Sequence, residues 1–315
     1  MSRPASSPSS VPAISPASMD LATWGMLIAL GMIWGGSFFF ARVAVQHIPP
    51  ITLVLLRVVL AAIALHLAFG RMPGFYRTLR ARAPELLVLG ILNNAIPFTL
   101  IFAGQTVIGA GLASILNATT PLWTVLIAQA FTEDEKITAA KLLGCGLGLA
   151  GTILLIGPAA FDRTDTPVWP MLAVIGAAMS YGCAATWGKR FRGVPPRMVA
   201  TGQLTASSLV MLPLALVVDA PWTLPLPPLD VILATLALAL LSTAFAYVLF
   251  FRILSRAGAT GTSLVTLLVP PAAILLGVLF LGENLSITEL AGLALIAVGL
   301  LTLDNRLRLR RPQAA

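Results

Sequence analysis

Arg57 lies in an apolar run, residues 50–69, that carries no other formal charge. It stands seven residues into that run, roughly 10 Å along a helix axis at 1.5 Å per residue. A cation at that depth in lipid is costly unless it reaches water, a carbonyl or an anion. Two chemistries fit it: a structural arginine that snorkels or caps carbonyls, and an anchor for a substrate carboxylate in a wet cavity. Uncharged polar residues accompany it. Asn93, Asn94, Thr99, Gln105 and Thr106 fall in one apolar stretch, and Asn94, Phe98, Ile101 and Gln105 share a helical face. Ser114, Asn117, Thr119 and Thr120 fall in the next. Further on, Ser242, Thr243 and Tyr247 take the places of Asn93, Asn94 and Phe98, while Thr262, Ser263 and Thr266 follow them. Singly, such groups serve as hydrogen bonds between helices, worth about 0.6–2 kcal/mol each. As a set on matched segments they read as the lining of a cavity. Trp34, Trp123, Tyr181 and Trp187 are rings that stack on a ligand, gate it or simply pack. Gln203 stands where the first half has Arg57, so the role of the cation is not duplicated. Pro121 and Pro270 interrupt backbone hydrogen bonding at matched positions and are hinge candidates.

Other chemistries lack their residues. Cys145 and Cys183 have no metal or redox spacing, and the two histidines, His47 and His66, belong to no metal motif. Neither a metal nor a cofactor is expected. Paired acids or a histidine–acid site, which a membrane-embedded lipid-modifying enzyme needs, do not occur, so the catalytic set is empty. No Gly-x-x-x-x-Gly-Lys loop is present for ATP. The acids fall in loops or near helix ends. Coupling through the substrate's own charge is therefore as reasonable as proton antiport.

The elements that must position these groups are set by an internal repeat. Gly109–Ala110, Ser114, Pro121, Phe131, Glu135, Gly144 and Gly151 recur as Gly258–Ala259, Ser263, Pro270, Phe280, Glu283, Gly292 and Gly299, with one single-residue gap. The 315 residues are 58% hydrophobic and 10% charged, at a mean hydropathy of +0.93. That leaves too little polar surface for a water-soluble particle, and the fold class is an all-α polytopic membrane protein. Ten apolar segments are expected at 23–45, 50–69, 84–106, 109–130, 138–157, 168–189, 198–218, 229–252, 258–281 and 286–304. Repeat one then covers 23–157 and repeat two 168–304, between a disordered Ser/Pro/Ala-rich tail (1–20) and a basic tail (305–315). The first tail lacks the pattern of a signal peptide and is expected to be retained. With both termini cytoplasmic, seventeen Lys and Arg fall on the cytoplasmic side against Arg42 and Arg163 on the other. The net charge of +8 is thus a topology signal, not a nucleic-acid surface. Five spans per repeat is odd, so the second repeat enters upside down, a plan common in secondary transporters. Glu135 and Glu283, at helix starts, suit helix N-termini. Gly144-x-x-x-Gly148 gives a small-residue face for contact within the chain or between protomers, which keeps a homodimer among the expected partners, with the bilayer and a small-molecule substrate.

The ordered motifs resemble a known family. Met32-Ile33-Trp34-Gly35-Gly36-Ser37-Phe38, Pro49–Pro50, Leu56–Arg57, Gly109-Ala110-Gly111-Leu112-Ala113-Ser114, Thr120–Pro121 and Leu281-Gly282-Glu283 are similar to EamA-type transporters of the drug/metabolite transporter superfamily. The resemblance covers about residues 24–304. It implies two inverted five-helix bundles around a central cavity bounded by helices three, four, eight and nine. It also implies transport of small metabolites, often amino acids or related compounds, and an inner-membrane exporter is the expected function. A sugar-phosphate or nucleotide-sugar antiporter is the alternative, but it would want several cations in the cavity. One departure is Glu133-Asp134-Glu135 where the second repeat has Gly282–Glu283.

Overall fold

A computed structural model of the chain describes residues 20–131, 139–161, 167–263 and 265–303. Among them regular structure is helical throughout: α1 Leu21–Ala44, α2 Pro50–Phe69, α3 Phe75–Ala81, α4 Ala83–Gly90, α5 Ile96–Gln105, α6 Ala110–Asn117, α7 Thr120–Phe131, α8 Ala139–Phe161, α9 Trp169–Gly188, α10 Pro196–Val218, α11 Leu229–Leu236, α12 Ala246–Ser263, α13 Val265–Leu281 and α14 Ile287–Leu303. Two π-helical turns, Ile91–Ala95 and Ala237–Phe245, join α4 to α5 and α11 to α12. Seven continuous stretches are long and apolar enough to cross a membrane, and three shorter apolar helices accompany them. Large apolar side chains such as Leu67, Leu209 and Phe280 point outward. The chain is an integral membrane protein whose outer surface suits lipid.

The starts and stops follow local chemistry. Asp20 caps α1 by accepting from the Thr23 N–H at 3.0 Å. Proline opens α2 and α10, where its missing N–H costs nothing. Gly282, at φ +65°, ends α13 in the left-handed conformation that glycine adopts without strain, and the Glu283 N–H returns to the Gly277 carbonyl at 3.1 Å.

Packing relates the halves by a pseudo-two-fold. α2 runs antiparallel to its repeat equivalent α10: Thr52, at the start of α2, meets Asp219, at the end of α10, and His66, near the end of α2, meets Thr205. α8 and α14 are likewise antiparallel. A Cβ on Gly151 would sit 2.8 Å from the Gly292 carbonyl, and one on Gly299 would sit 2.7 Å from the Gly144 carbonyl. These four glycines are the matched pairs of the sequence repeat, and each contact is the other's image. The small-residue face of α8 is thus occupied within the chain by α14. α1 packs on α13, as α9 packs on α6 and α7.

Three details differ from the sequence reading. α12 runs through Gly258 and Ala259, where a helix start was expected, whereas the matched Gly109–Ala110 does open a helix, α6. Pro121 stands second in α7, behind a break at Ala118–Thr119, whereas Pro270 and Pro271 are carried inside α13. The hinge candidates are therefore matched in sequence but not in local structure. Glu283 does not serve its own helix. The Ser286 side chain and the Glu289 carboxylate cap α14, leaving Glu283 free to cross to the other repeat. The tails, Glu135 and the acidic Glu133–Asp134 lie outside the described residues.

Candidate functional site

A cavity of about 420 Å³ lies between the repeats. Its lining comes from both halves in matched pairs: Trp34 and Tyr181, Ser37 and Ala184, Phe38 and Ala185, Arg57 and Gln203, Asn93 and Ser242, Phe98 and Tyr247, Phe102 and Phe251, Asn117 and Thr266, Thr120 and Val269. The cavity straddles the pseudo-two-fold, yet the paired residues differ in chemistry, so its two halves are not equivalent to a ligand.

Arg57 projects from α2 and is only 7% exposed. Its Nε donates to Thr243 Oγ1 at 2.9 Å, and that hydroxyl donates onward to the Leu238 carbonyl at 2.9 Å. The second bond spans five residues, as the π turn requires. The guanidinium lies 3.7 Å over the Phe98 ring and 5.7 Å from Phe102, an arrangement worth about 0.5–2 kcal/mol. Among the described residues no carboxylate pairs with it, and its two Nη groups have no acceptor. A flat cation with four N–H donors toward a cavity is suited to a bidentate carboxylate.

The π turns carry the polar wall. Each widens the helix at the matched Asn93–Asn94 and Ser242–Thr243 positions. Backbone groups inside a bilayer need partners. Ser180 from α9 donates to the Leu92 carbonyl at 2.7 Å, and Ser242 donates to the Ile33 carbonyl of α1 at 3.1 Å. Asn93 Nδ2 donates to Gln203 Oε1 at 3.0 Å across the cavity wall. π turns recur at functional sites because they re-aim side chains.

Of the residues singled out by sequence, Arg57, Trp34, Asn93, Phe98, Asn117, Tyr181, Gln203, Ser242, Thr243, Tyr247 and Thr266 come together on the wall. Asn94 stands behind it, fully buried, donating to Ser207 Oγ at 3.0 Å and accepting from the Tyr247 hydroxyl at 3.4 Å. Trp123 also stands off the wall, its Nε1 donating to Thr119 Oγ1 at 3.2 Å. Trp187 donates to the Glu85 carbonyl at 3.0 Å, beneath Arg190. The Ser263 side chain lies outside the described residues. His66 is tied to Thr205 and stacked on Tyr76, a packing role. Ser37, Leu89, Ala184 and Ala185 line the cavity without any signal of their own in the sequence. Among the described residues no group of metal-binding side chains occurs.

Outside the cavity lining, a further contact joins the repeats. Glu283 accepts from the Ala110 N–H at 2.6 Å and the Gly111 N–H at 2.9 Å, so a repeat-two carboxylate caps the repeat-one helix α6. A Cβ on Gly109 would stand 2.7 Å from its carboxyl carbon. Nearby, Arg42 Nη1 donates to the Gln105 carbonyl.

Comparison with known proteins agrees with this architecture. The model of the EamA-like transporter family matches residues 23–157 and again 168–303. The uncharacterized inner membrane transporter YedA of Escherichia coli (strain K12) is 29% identical over 94% of this chain and 95% of its own. A probable amino-acid metabolite efflux pump of Salmonella typhimurium is 27% identical over 89% and 94%. The uncharacterized transporter YoaV of Bacillus subtilis is 24% identical over 87% and 94%. A crystal structure at 22% identity superposes with a TM-score of 0.63 over 93% of this chain and 99% of its own, a likeness of fold. With both repeats matched and the cavity between them, the chain belongs to the EamA-like transporter family.

Proposed function

We propose that this protein is a secondary transporter that exports a small carboxylate-bearing metabolite, an amino acid or related compound, across the inner membrane by alternating access. The observation that carries the reading is Arg57, a guanidinium with unclaimed Nη donors in an otherwise uncharged, aromatic-walled cavity. Relatives named as amino-acid metabolite efflux pumps support both the substrate class and the direction. In the proposed topology ten helices cross the bilayer as two inverted repeats with both termini cytoplasmic. The antiparallel packing of α2 on α10 and α8 on α14 supports the inversion, since an axis along the membrane normal would leave equivalent helices parallel. A single cation on the wall disfavours a sugar-phosphate or nucleotide-sugar antiporter, whose cargo carries at least two negative charges.

The test is transport of labelled amino acids and their analogues by protein reconstituted in vesicles, with and without a proton gradient. Arg57→Ala is expected to lower uptake of carboxylates by at least about tenfold, the worth of one charge-assisted hydrogen bond, while the protein still inserts and stays monodisperse. Full transport by that variant would refute the anchor.

A further inference from the structure

We propose that the connection between α2 and α4 is a docking site for the headgroup of an anionic phospholipid, with Arg71, Arg77, Arg80 and Arg197 as its cations. Residues 70–82 join two stretches long and apolar enough to cross a membrane, Pro50–Phe69 and Ala83–Gln105, so they lie where the bilayer meets water. Within them α3 has two faces. Phe75 is buried and set edge-on to the His66 ring, and Leu79, one turn further on, packs on the cluster around Leu86 and Phe191. Tyr76, Arg77 and Arg80 stand outward. That pattern suits the headgroup layer, where tyrosine is enriched and arginine meets phosphate.

The cations are gathered and unclaimed. Gly74, at φ +71°, turns the chain into α3, and Arg77 folds back over that turn, its Nη2 4.0 Å from a Cβ built on Gly74. Arg77 and Arg80, three residues apart, are neighbours on the helix surface. α3 packs on α10, whose second residue, Arg197, lies 5.5 Å over the ring of Phe69, the last residue of α2. All four arginines are exposed, and among the described residues none pairs with a carboxylate. Residues 70–85 and 187–197, tied by the Trp187–Glu85 hydrogen bond, carry eight Lys and Arg against one acid. That acid, Glu85, is held by Arg82 at 3.3 Å.

Charge and place select the occupant. An arginine at a bilayer surface favours anionic lipid by roughly fivefold, and its guanidinium matches two phosphate oxygens. A zwitterionic lipid brings its own ammonium, which the cluster repels. Leu67 and Ile63, one and two turns of α2 before Arg71, are exposed and offer acyl chains an apolar surface on the membrane side of the arginines. A free phosphate would gain nothing from that surface.

Water-soluble dihexanoyl lipids are titrated onto the full-length protein in neutral detergent, and binding is read calorimetrically. Dihexanoylphosphatidylglycerol is expected to bind at least about tenfold more tightly than dihexanoylphosphatidylcholine. Arg77→Gln combined with Arg80→Gln is expected to shrink that preference to within about threefold while the protein stays monodisperse. Arg190→Gln combined with Arg192→Gln removes the same charge from the same end of the molecule and is expected to keep the preference. Equal wild-type affinity for the two lipids, or no binding of either, overturns the site. So does a preference that survives in the Arg77 and Arg80 pair, or one that the Arg190 and Arg192 pair loses to the same extent. Inorganic phosphate that matches the glycerol lipid in affinity would make this a free-anion site and overturn the lipid assignment.

Discussion

Arg57 is held by two different forces, and each can be removed separately. Thr243 fixes Nε, Phe98 and Phe102 hold the guanidinium plane, and the Nη groups are left for the cavity. Arg57→Lys keeps the charge but loses the flat stack and the paired donors. Affinity for 3-phenylpropionate is expected to fall by about tenfold, and wild-type affinity in the lysine variant would mean that charge alone matters. The residue scale also shows what sequence can and cannot disclose. A lone cation in an apolar run is conspicuous, and its polar and aromatic neighbours could be grouped by helical period. Asn94 and Asn93 are adjacent and chemically identical, yet the π turn aims one at the cavity and the other at Ser207. Ala184, Ala185 and Ser37 line the cavity because their small side chains leave room there, a property of the packed helices rather than of the residues. Gln105 was visible as one polar residue among several. That its side-chain oxygen is buried without a partner among the described residues is disclosed only by the packing.

Among the elements, helices in lipid are held by close approach and hydrogen bonds rather than by expulsion of water. The α8–α14 contact depends on backbone meeting backbone at Gly151 and Gly299. A methyl group at Gly299 would stand 2.7 Å from the Gly144 carbonyl and 2.8 Å from the Gly148 nitrogen, atoms that cannot rotate away. Gly299→Ala is expected to cost about 1–3 kcal/mol as the helices are forced apart. Gly146, with nothing within 4 Å of its built Cβ, is the internal control. Gly146→Ala should be neutral or stabilising by up to about 1 kcal/mol through helix propensity. Thermal unfolding in detergent separates the two, and equal midpoints would deny the close packing. The sequence repeat pointed to these glycines but not to their partners. Glu283 was more deceptive. Its place suggested its own helix, but the left-handed turn at Gly282 and the Ser286–Glu289 cap divert it to α6. Glu283→Gln retains a single acceptor oxygen for two N–H groups, so a loss of about 1–3 kcal/mol is expected in the same assay. An unchanged midpoint would show that the contact carries no stability.

For the whole molecule, two antiparallel pairs of equivalent helices fix the direction of the pseudo-two-fold across the helix bundle. The repeat and the composition made an all-helical membrane protein of two repeats legible before any contact was known. The asymmetric parts were not legible, because the sequence ladder assumed that matched residues share local structure. The break before Pro121 has no counterpart at Pro270, and α12 continues where α5 ends. Inversion has a consequence that no single contact carries. Lys136 and Asn284 follow the equivalent phenylalanines Phe131 and Phe280, so parallel repeats would place them on one side of the membrane and inverted repeats on opposite sides. Asn284 is exposed, and a thiol there meets reagent without disturbing the core. With Cys145 and Cys183 replaced by alanine, Lys136→Cys is expected to react with an impermeant maleimide only after the membrane is opened, and Asn284→Cys in intact cells. The charge count supports that assignment of sides, since the proposed topology puts sixteen other Lys and Arg on the face of Lys136. Labelling of both cysteines from the same face would remove the pseudo-two-fold from the membrane plane, and with it the symmetry by which the proposed transporter would open one cavity to either side in turn.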